Sequence, residues 1–330
     1  MKKSLIALAV LGLSGAALAQ SSVTLYGKAD AGVGKIENGT LKKMPGGTAT
    51  SGDNSNKTQF ISGSTMNSFD SRIGLRATED LGGGLSAGAW FESGLDLNNG
   101  GQAASAFWAR QANVSLTGNN WGTLRLGRQF TASYTAGLSY ELTGTANYSV
   151  LGTTYRWATL GSRADSAFSY TTPTFYGLTA AVAFVSKNDR ADDKNVWDVA
   201  AMYGNGPVKA VLTANKVSGG KTGYQLGGRY NFSNFSVTAT FVQSAGGPTF
   251  NDVRRGFELG GTARFGAFSL TLDLTRDTKN EWASGQGVNK KYTNGLLEAR
   301  YSLSKRTYLY GAYLRSDKTN NYGLGVNHSF

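Results

Sequence analysis

Residues 320–330 read Asn320-Asn321-Tyr322-Gly323-Leu324-Gly325-Val326-Asn327-His328-Ser329-Phe330. Tyr322, Leu324, Val326, His328 and Phe330 fall on one side of an extended chain; Asn321, Gly323, Gly325, Asn327 and Ser329 fall on the other. Successive side chains of a strand point to opposite faces, so this is a strand with one apolar face. The last residues of a soluble domain usually fray. An alternating strand that runs to an aromatic final residue is expected to be paired there, as the strand that closes a barrel is. His328 takes an interfacial position in it.

Working upstream, the same period of two recurs. Phe268, Leu270, Leu272 and Leu274 alternate with Ser269, Thr271, Asp273 and Thr275. Phe235, Val237, Ala239 and Phe241 alternate with Ser236, Thr238 and Thr240, and residues 222–232 behave likewise. The chain supplies sixteen candidate strands, at 22–33, 69–78, 85–97, 105–117, 121–129, 163–172, 177–186, 194–204, 207–217, 222–232, 234–244, 255–265, 267–276, 291–302, 305–314 and 320–330. Short turns such as Leu81-Gly82-Gly83-Gly84, Gly118-Asn119-Asn120, Asn205-Gly206 and Ser304-Lys305 alternate with long polar loops near 34–68, 130–162, 245–254 and 277–290. Short turns on one side, long loops on the other and an even strand count are the signature of a transmembrane antiparallel β-barrel. No composition shift marks a second domain, so residues 20–330 are read as one.

Composition narrows the alternatives. The 330 residues include no Cys, one His, 45 Gly and 4 Pro, with 16% charged and 12% aromatic residues. Charge well below the ~25% of soluble domains argues against an ordinary globular surface, and abundant aromatics argue against disorder. Without Cys there is no disulfide framework or thiolate metal site. Lys2 and Lys3, the apolar Leu5–Leu13 stretch and Ala17-Leu18-Ala19 form an export signal over residues 1–19. Its removal takes two lysines from the formal +12, leaving +10. After it no apolar run approaches the ~20 residues a membrane helix needs. A soluble exported protein and an outer-membrane barrel both remain open. In hydrocarbon every backbone N–H and C=O must be satisfied internally, so a membrane β-structure must close on itself. Sixteen strands enclose an aqueous channel, where Arg229, Arg264, Asp273, Glu298 and Arg300 avoid the cost of a dry core. Alternation alone does not say which face is outward.

The motifs Ser22-Val23-Thr24-Leu25-Tyr26-Gly27, Ser71-Arg72-Ile73-Gly74-Leu75-Arg76, Thr78-Glu79-Asp80-Leu81-Gly82-Gly83-Gly84-Leu85 and Leu124-Arg125-Leu126-Gly127-Arg128, with the terminal Phe330, resemble the general porins of Gram-negative bacteria, most of all the beta-proteobacterial trimeric type. The resemblance spans the mature chain. It implies a homotrimer of sixteen-stranded barrels, a third loop (about residues 130–162) folded into the lumen, and passive diffusion of small hydrophilic solutes. It further implies that Arg72, Arg110 and Arg163 form a row of wall arginines at the constriction, faced by Glu92 on the wall and by an acid on the loop. Glu141 is the only acid between 130 and 162 and is the candidate for the latter. Arg76, Arg156 and Lys28 are further lumen candidates. Arg110 shares strand parity with Val114 and Leu116, so either a bulge intervenes or this strand faces a subunit interface.

The surplus charge and the arginine set predict a preference for anions, because rings of Arg or Lys make a narrow pore positive. A ligand-specific channel for phosphate or an organic anion is the alternative, as is an adhesin working through its loops, with Lys35, Lys42, Lys43 and Lys57 in the first. An enzyme is not expected: one His in the terminal strand leaves no base near a nucleophile. No cofactor or metal site is read. Scattered basic residues without a basic helix exclude nucleic acid. The expected partners are further copies of the chain, outer-membrane lipid and lipopolysaccharide, small anions, and the barrel-assembly machinery. The last would read Tyr322, Leu324, Val326, His328 and Phe330 as an assembly signal.

Overall fold

The computed structural model describes residues 21–37, 56–246, 252–282 and 290–330. The export signal at 1–19 and the loop residues Lys42 and Lys43 lie outside them. The strands are β1 (Ser22–Lys35), a short β2 (Gln59–Ile61), β3 (Arg72–Gly82), β4 (Leu85–Gly94), β5 (Gln111–Gly118), β6 (Gly122–Phe130), β7 (Arg163–Thr171) and β8 (Leu178–Val185). They continue as β9 (Val196–Asn205), β10 (Val208–Val217), β11 (Gly223–Asn231), β12 (Phe235–Ala245), β13 (Val253–Phe265), β14 (Phe268–Asn280), β15 (Thr293–Ser302), β16 (Thr307–Ser316) and β17 (Thr319–Ser329).

The sixteen long strands pair antiparallel with their neighbours in chain order, and β17 returns to β1 from Lys28↔Ser329 to Lys35↔Tyr322. Beyond that register the Phe330 N–H donates to the Gly27 carbonyl at 3.1 Å, and the Gly27 N–H to the Phe330 carbonyl at 3.0 Å. A ring so joined has no open edge, as hydrocarbon requires. β2 only adds a short pairing, Gly32↔Ile61 to Gly34↔Gln59, at the loop end of β1.

The structure decides which face is which. On β14, Leu270, Leu272 and Leu274 are 41%, 53% and 43% exposed, whereas Thr271, Asp273 and Thr275 are 1%, 0% and 1% exposed. Leu25, Val33, Leu124, Leu126, Leu324 and Val326 share the outer surface, while Asp30, Asn113, Asn321 and Asn327 point inward. The barrel is apolar outside and polar within. At one end the strands are joined tightly, at 83–84, 119–121, 206–207, 232–234, 266–267 and 303–306; the longer connections, such as 95–110, 131–162 and 186–195, leave the other end. Short turns are the periplasmic side of such barrels.

The expected segments coincide with these strands to within a few residues, except that the one predicted at 105–117 begins only at Gln111. The 131–162 connection also differs from the polar loop expected. It contains α1 (Ala132–Tyr140), capped by the Thr131 hydroxyl accepting the Tyr134 N–H, and α2 (Val150–Tyr155), capped by Ser149 accepting from the Gly152 N–H. Helix caps of this kind satisfy otherwise orphaned amides. Ala132, Ala136, Tyr140, Leu151, Tyr155 and Trp157 form a buried cluster with Ala200, Val211 and Val242, the inward apolar residues of β9, β10 and β12. The inner wall also makes room by omission: a Cβ on Gly227 would stand 2.6 Å from the Tyr140 ring, and one on Gly260 2.8 Å from Leu142 Cδ1. The connection thus folds inside the barrel, α1 against β8–β11 and α2 against β12–β16.

Candidate functional site

Antiparallel pairing of β3 through β7 brings four separated residues into one row. Arg72 opens β3, Arg163 opens β7, Glu92 lies near the end of β4, and Arg110 precedes β5. Glu92 is 3% exposed and is the hub: its Oε1 accepts from Arg110 Nε at 2.7 Å and lies 3.9 Å from a terminal nitrogen of Arg163, and its Oε2 lies 3.5 Å from Arg72 Nε. The Tyr26 hydroxyl donates to the same Oε2 at 2.8 Å. Arg110 donates at 2.6 Å to Asp70, whose other oxygen accepts from Asn147 on the inserted connection at 2.8 Å. Arg163 Nε donates to the Arg110 carbonyl at 2.8 Å and its guanidinium lies over Phe130 at 4.8 Å. Lys28 stands over the Phe69 ring at 3.9 Å.

Burial works against charge on Asp70, yet the adjacent Arg110 and the Asn147 amide hold its carboxyl below the ordinary value. Burial likewise disfavours the Arg110 cation, but Asp70 and Glu92 hold it protonated more firmly than usual. Both groups stay ionised near neutral pH. Arg72, Arg110 and Arg163 therefore meet Glu92 and Asp70, a local excess of cations.

Toward the short-turn end, Arg76 lies over Trp90 at 4.2 Å and Tyr26 at 4.8 Å, and Arg125 lies over the same Trp90 at 5.9 Å. Among the described residues neither arginine forms an ion pair. Guanidiniums gain from the negative face of an aromatic ring, which positions them without neutralising them.

Three expectations need correction. Arg110 requires neither a bulge nor an interface-facing strand. β5 begins one residue later, so Arg110 lies outside the alternation that turns Gln111 and Asn113 inward. Glu141 does not meet the arginine row. Its carboxylate is buried and accepts from the Thr143 N–H at 2.8 Å, the Thr145 N–H at 2.7 Å and the Thr143 hydroxyl at 2.8 Å. Arg156 is turned toward other loops: it donates to the Gly246 carbonyl at 3.3 Å and lies over Trp282 at 5.1 Å, where burial pulls it down to about 10. Sequence reading missed Asp70 and Arg125 as members of the site. The signal for Asp70 was its place two residues before Arg72, at the mouth of the same strand.

Tyr322, Leu324, Val326, His328 and Phe330 lie on the outer face of β17. His328 Nδ1 is 2.8 Å from the Thr307 hydroxyl.

Comparison with known proteins gives a consistent picture. Residues 4–321 match the family model described as Gram-negative porin. Outer membrane porin protein 32 of Delftia acidovorans is 32% identical over 98% of this chain and 92% of its own length. An outer membrane porin protein of Bordetella pertussis is 30% identical over the whole of both chains. Among solved structures, an anion-selective porin from Comamonas acidovorans superposes with a TM-score of 0.73 at 26% identity, covering 94% of this chain and 100% of the other.

Proposed function

That the chain belongs to the Gram-negative porin family, and so forms a water-filled diffusion channel in the outer membrane, is the premise from which we propose that small anions are what it passes best. The observation that carries this reading is the convergence of Arg72, Arg110 and Arg163 on the single carboxylate Glu92. A passing anion exchanges part of its water shell for guanidinium N–H groups already held in place. Glu92 keeps those groups from repelling one another, while their excess charge keeps the site positive. Binding of this kind must be strong enough to enter and weak enough to leave. Arg76 and Arg125 continue the positive wall below the row, so an anion leaving the row meets further attraction. The solved relative from Comamonas acidovorans is described as anion-selective, which supports the same reading.

The test is reversal potential across a planar bilayer under a salt gradient. The sign should report anion preference; a cation-selective sign would sink the proposal. Arg72→Gln or Arg163→Gln should each lower the anion-to-cation permeability ratio about two- to fivefold, the effect of ~0.5–1 kcal/mol from one charge several ångströms away in water. The loss should be larger at low salt, where screening is weaker. Saturable flux of phosphate or of one organic anion would instead favour the ligand-specific channel.

Export through residues 1–19 and assembly as a homotrimer belong to the same reading, and gel migration with and without heating tests the oligomer. The face from Tyr322 to Phe330 is proposed as the segment the barrel-assembly machinery reads.

A further inference from the structure

The outward stripe of β14 runs Phe268, Leu270, Leu272, Leu274 and then Arg276; that of β16 runs Leu309, Gly311, Tyr313 and then Arg315. Both change from apolar to cationic at the long-loop end, where the hydrocarbon belt meets the outer headgroups. β15 lies between them, pairing Thr293 with Arg276 and Gly295 with Arg315. Gly295 offers no side chain, and a groove of about 490 Å³ opens over it, bordered by Leu274, Arg315 and the lysines Lys290, Lys291 and Lys318. Arg276 is held at its edge by donating to the Thr293 hydroxyl at 2.9 Å.

The charges here are unbalanced. Among the described residues Asp317 is the only carboxylate bordering the groove, and it is engaged by Arg254 at 2.7 Å. Among the described residues Arg276, Arg315, Lys290, Lys291 and Lys318 form no ion pair. The ammonium of Lys318 beside Lys290 even pulls the latter below its ordinary value. Unpaired cations above an apolar floor complement an amphiphile that carries phosphate at its head and acyl chains below. A free phosphate would meet the cations but leave the floor uncovered.

We propose that this groove seats a phosphorylated glycolipid of the outer leaflet, with phosphate between Arg276, Arg315 and Lys318 and an acyl chain lying along Leu274 over Gly295. The site rests on the outer-membrane location and is independent of what the lumen passes.

The experiment titrates the folded protein in detergent with bis-phosphorylated lipid A, with its dephosphorylated form, and with inorganic phosphate, counting bound lipid by native mass spectrometry. The wild type should retain lipid A. The double variant Arg315→Gln with Lys318→Gln should bind it about tenfold or more weakly, as expected for two cations near a charged surface, and dephosphorylated lipid should bind the wild type no better. Gly295→Leu keeps every charge but fills the groove, and should also weaken retention. Unchanged heat-modifiable migration and unchanged ion selectivity show that each variant folds and that the lumen is untouched. If one variant fails to fold, the other decides. Wild-type affinity in a folded variant, or displacement of lipid A by inorganic phosphate, would overturn the proposal. So would loss of the oligomer with lipid binding intact, because the groove would then be covered by a second barrel.

Discussion

Glu92 carries more of the lumen's order than any other single side chain, because three guanidiniums reach it, two from the first residues of β3 and β7 and one from the residue before β5. Replacing it with Gln removes the negative centre and leaves cations repelling one another. Glu92→Gln should therefore raise anion preference in reversal-potential measurements while lowering the temperature at which the folded form disappears on gels. Arg72 was legible because it stands inside the Ser71–Arg76 motif, and Arg110, Arg163 and Glu92 through the family resemblance. Asp70 was not, because its part depends on how the chain enters β3 and on Asn147 arriving from a distant connection. Glu141 was misjudged for a different reason. Counting acids in a segment does not tell which way a carboxylate turns, and here the N–H groups of the same segment capture it.

The inserted connection is a separate object at the scale of elements. It docks through aromatic and aliphatic side chains fitted against wall positions without a Cβ. Gly227→Val would collide with Tyr140, and should unseat the connection while leaving the strands paired. Single-channel recording should show larger or noisier conductance with weaker anion preference; unaltered traces from a folded variant would refute the docking account. The connection should also respond to pH. Burial pushes Glu141 above the ordinary carboxylate range, against the hydrogen bonds from Thr145 and Thr143 that favour its charged form. The docked state thus prefers the neutral acid, so its advantage is full in acid and is lost as pH rises through the raised value. Current noise should increase as pH rises above the ordinary carboxylate range, and Glu141→Gln should flatten that change. The strands were readable because period two repeats sixteen times over. The helices were not: nine and six residues are too few to show a helical period, and their apolar partners are isolated Ala and Val residues on otherwise polar inner faces.

For the molecule as a whole, alternation announced two faces without saying which was wet. Only closure answers that, since the ring makes one face an interior. The connection lengths did announce the orientation, and the one long-loop-end link that is a tight turn, Asp317-Lys318, does not disturb it. The seam between β17 and β1 depends on Phe330, whose ring occupies the space a Cβ on Gly27 would need. Phe330→Ala should cost about 1–2 kcal/mol, the worth of a partly covered aromatic side chain. It should lower the yield of heat-modifiable barrel on refolding, with little effect on selectivity in the channels that form.

The partners at that seam, Lys28 with Ser329 and Lys35 with Tyr322, lie about as far apart along the polypeptide as any two residues in the barrel. No earlier hairpin can stand in for their meeting, so every intermediate before it is a curved ribbon with two raw margins, each a row of amides and carbonyls seeking company. Joining such remote segments is slow. The hazard of stray pairing with a neighbour's margin therefore persists until the last stave is delivered, and whatever escorts this chain through the periplasm has to keep those two margins apart from everything but each other.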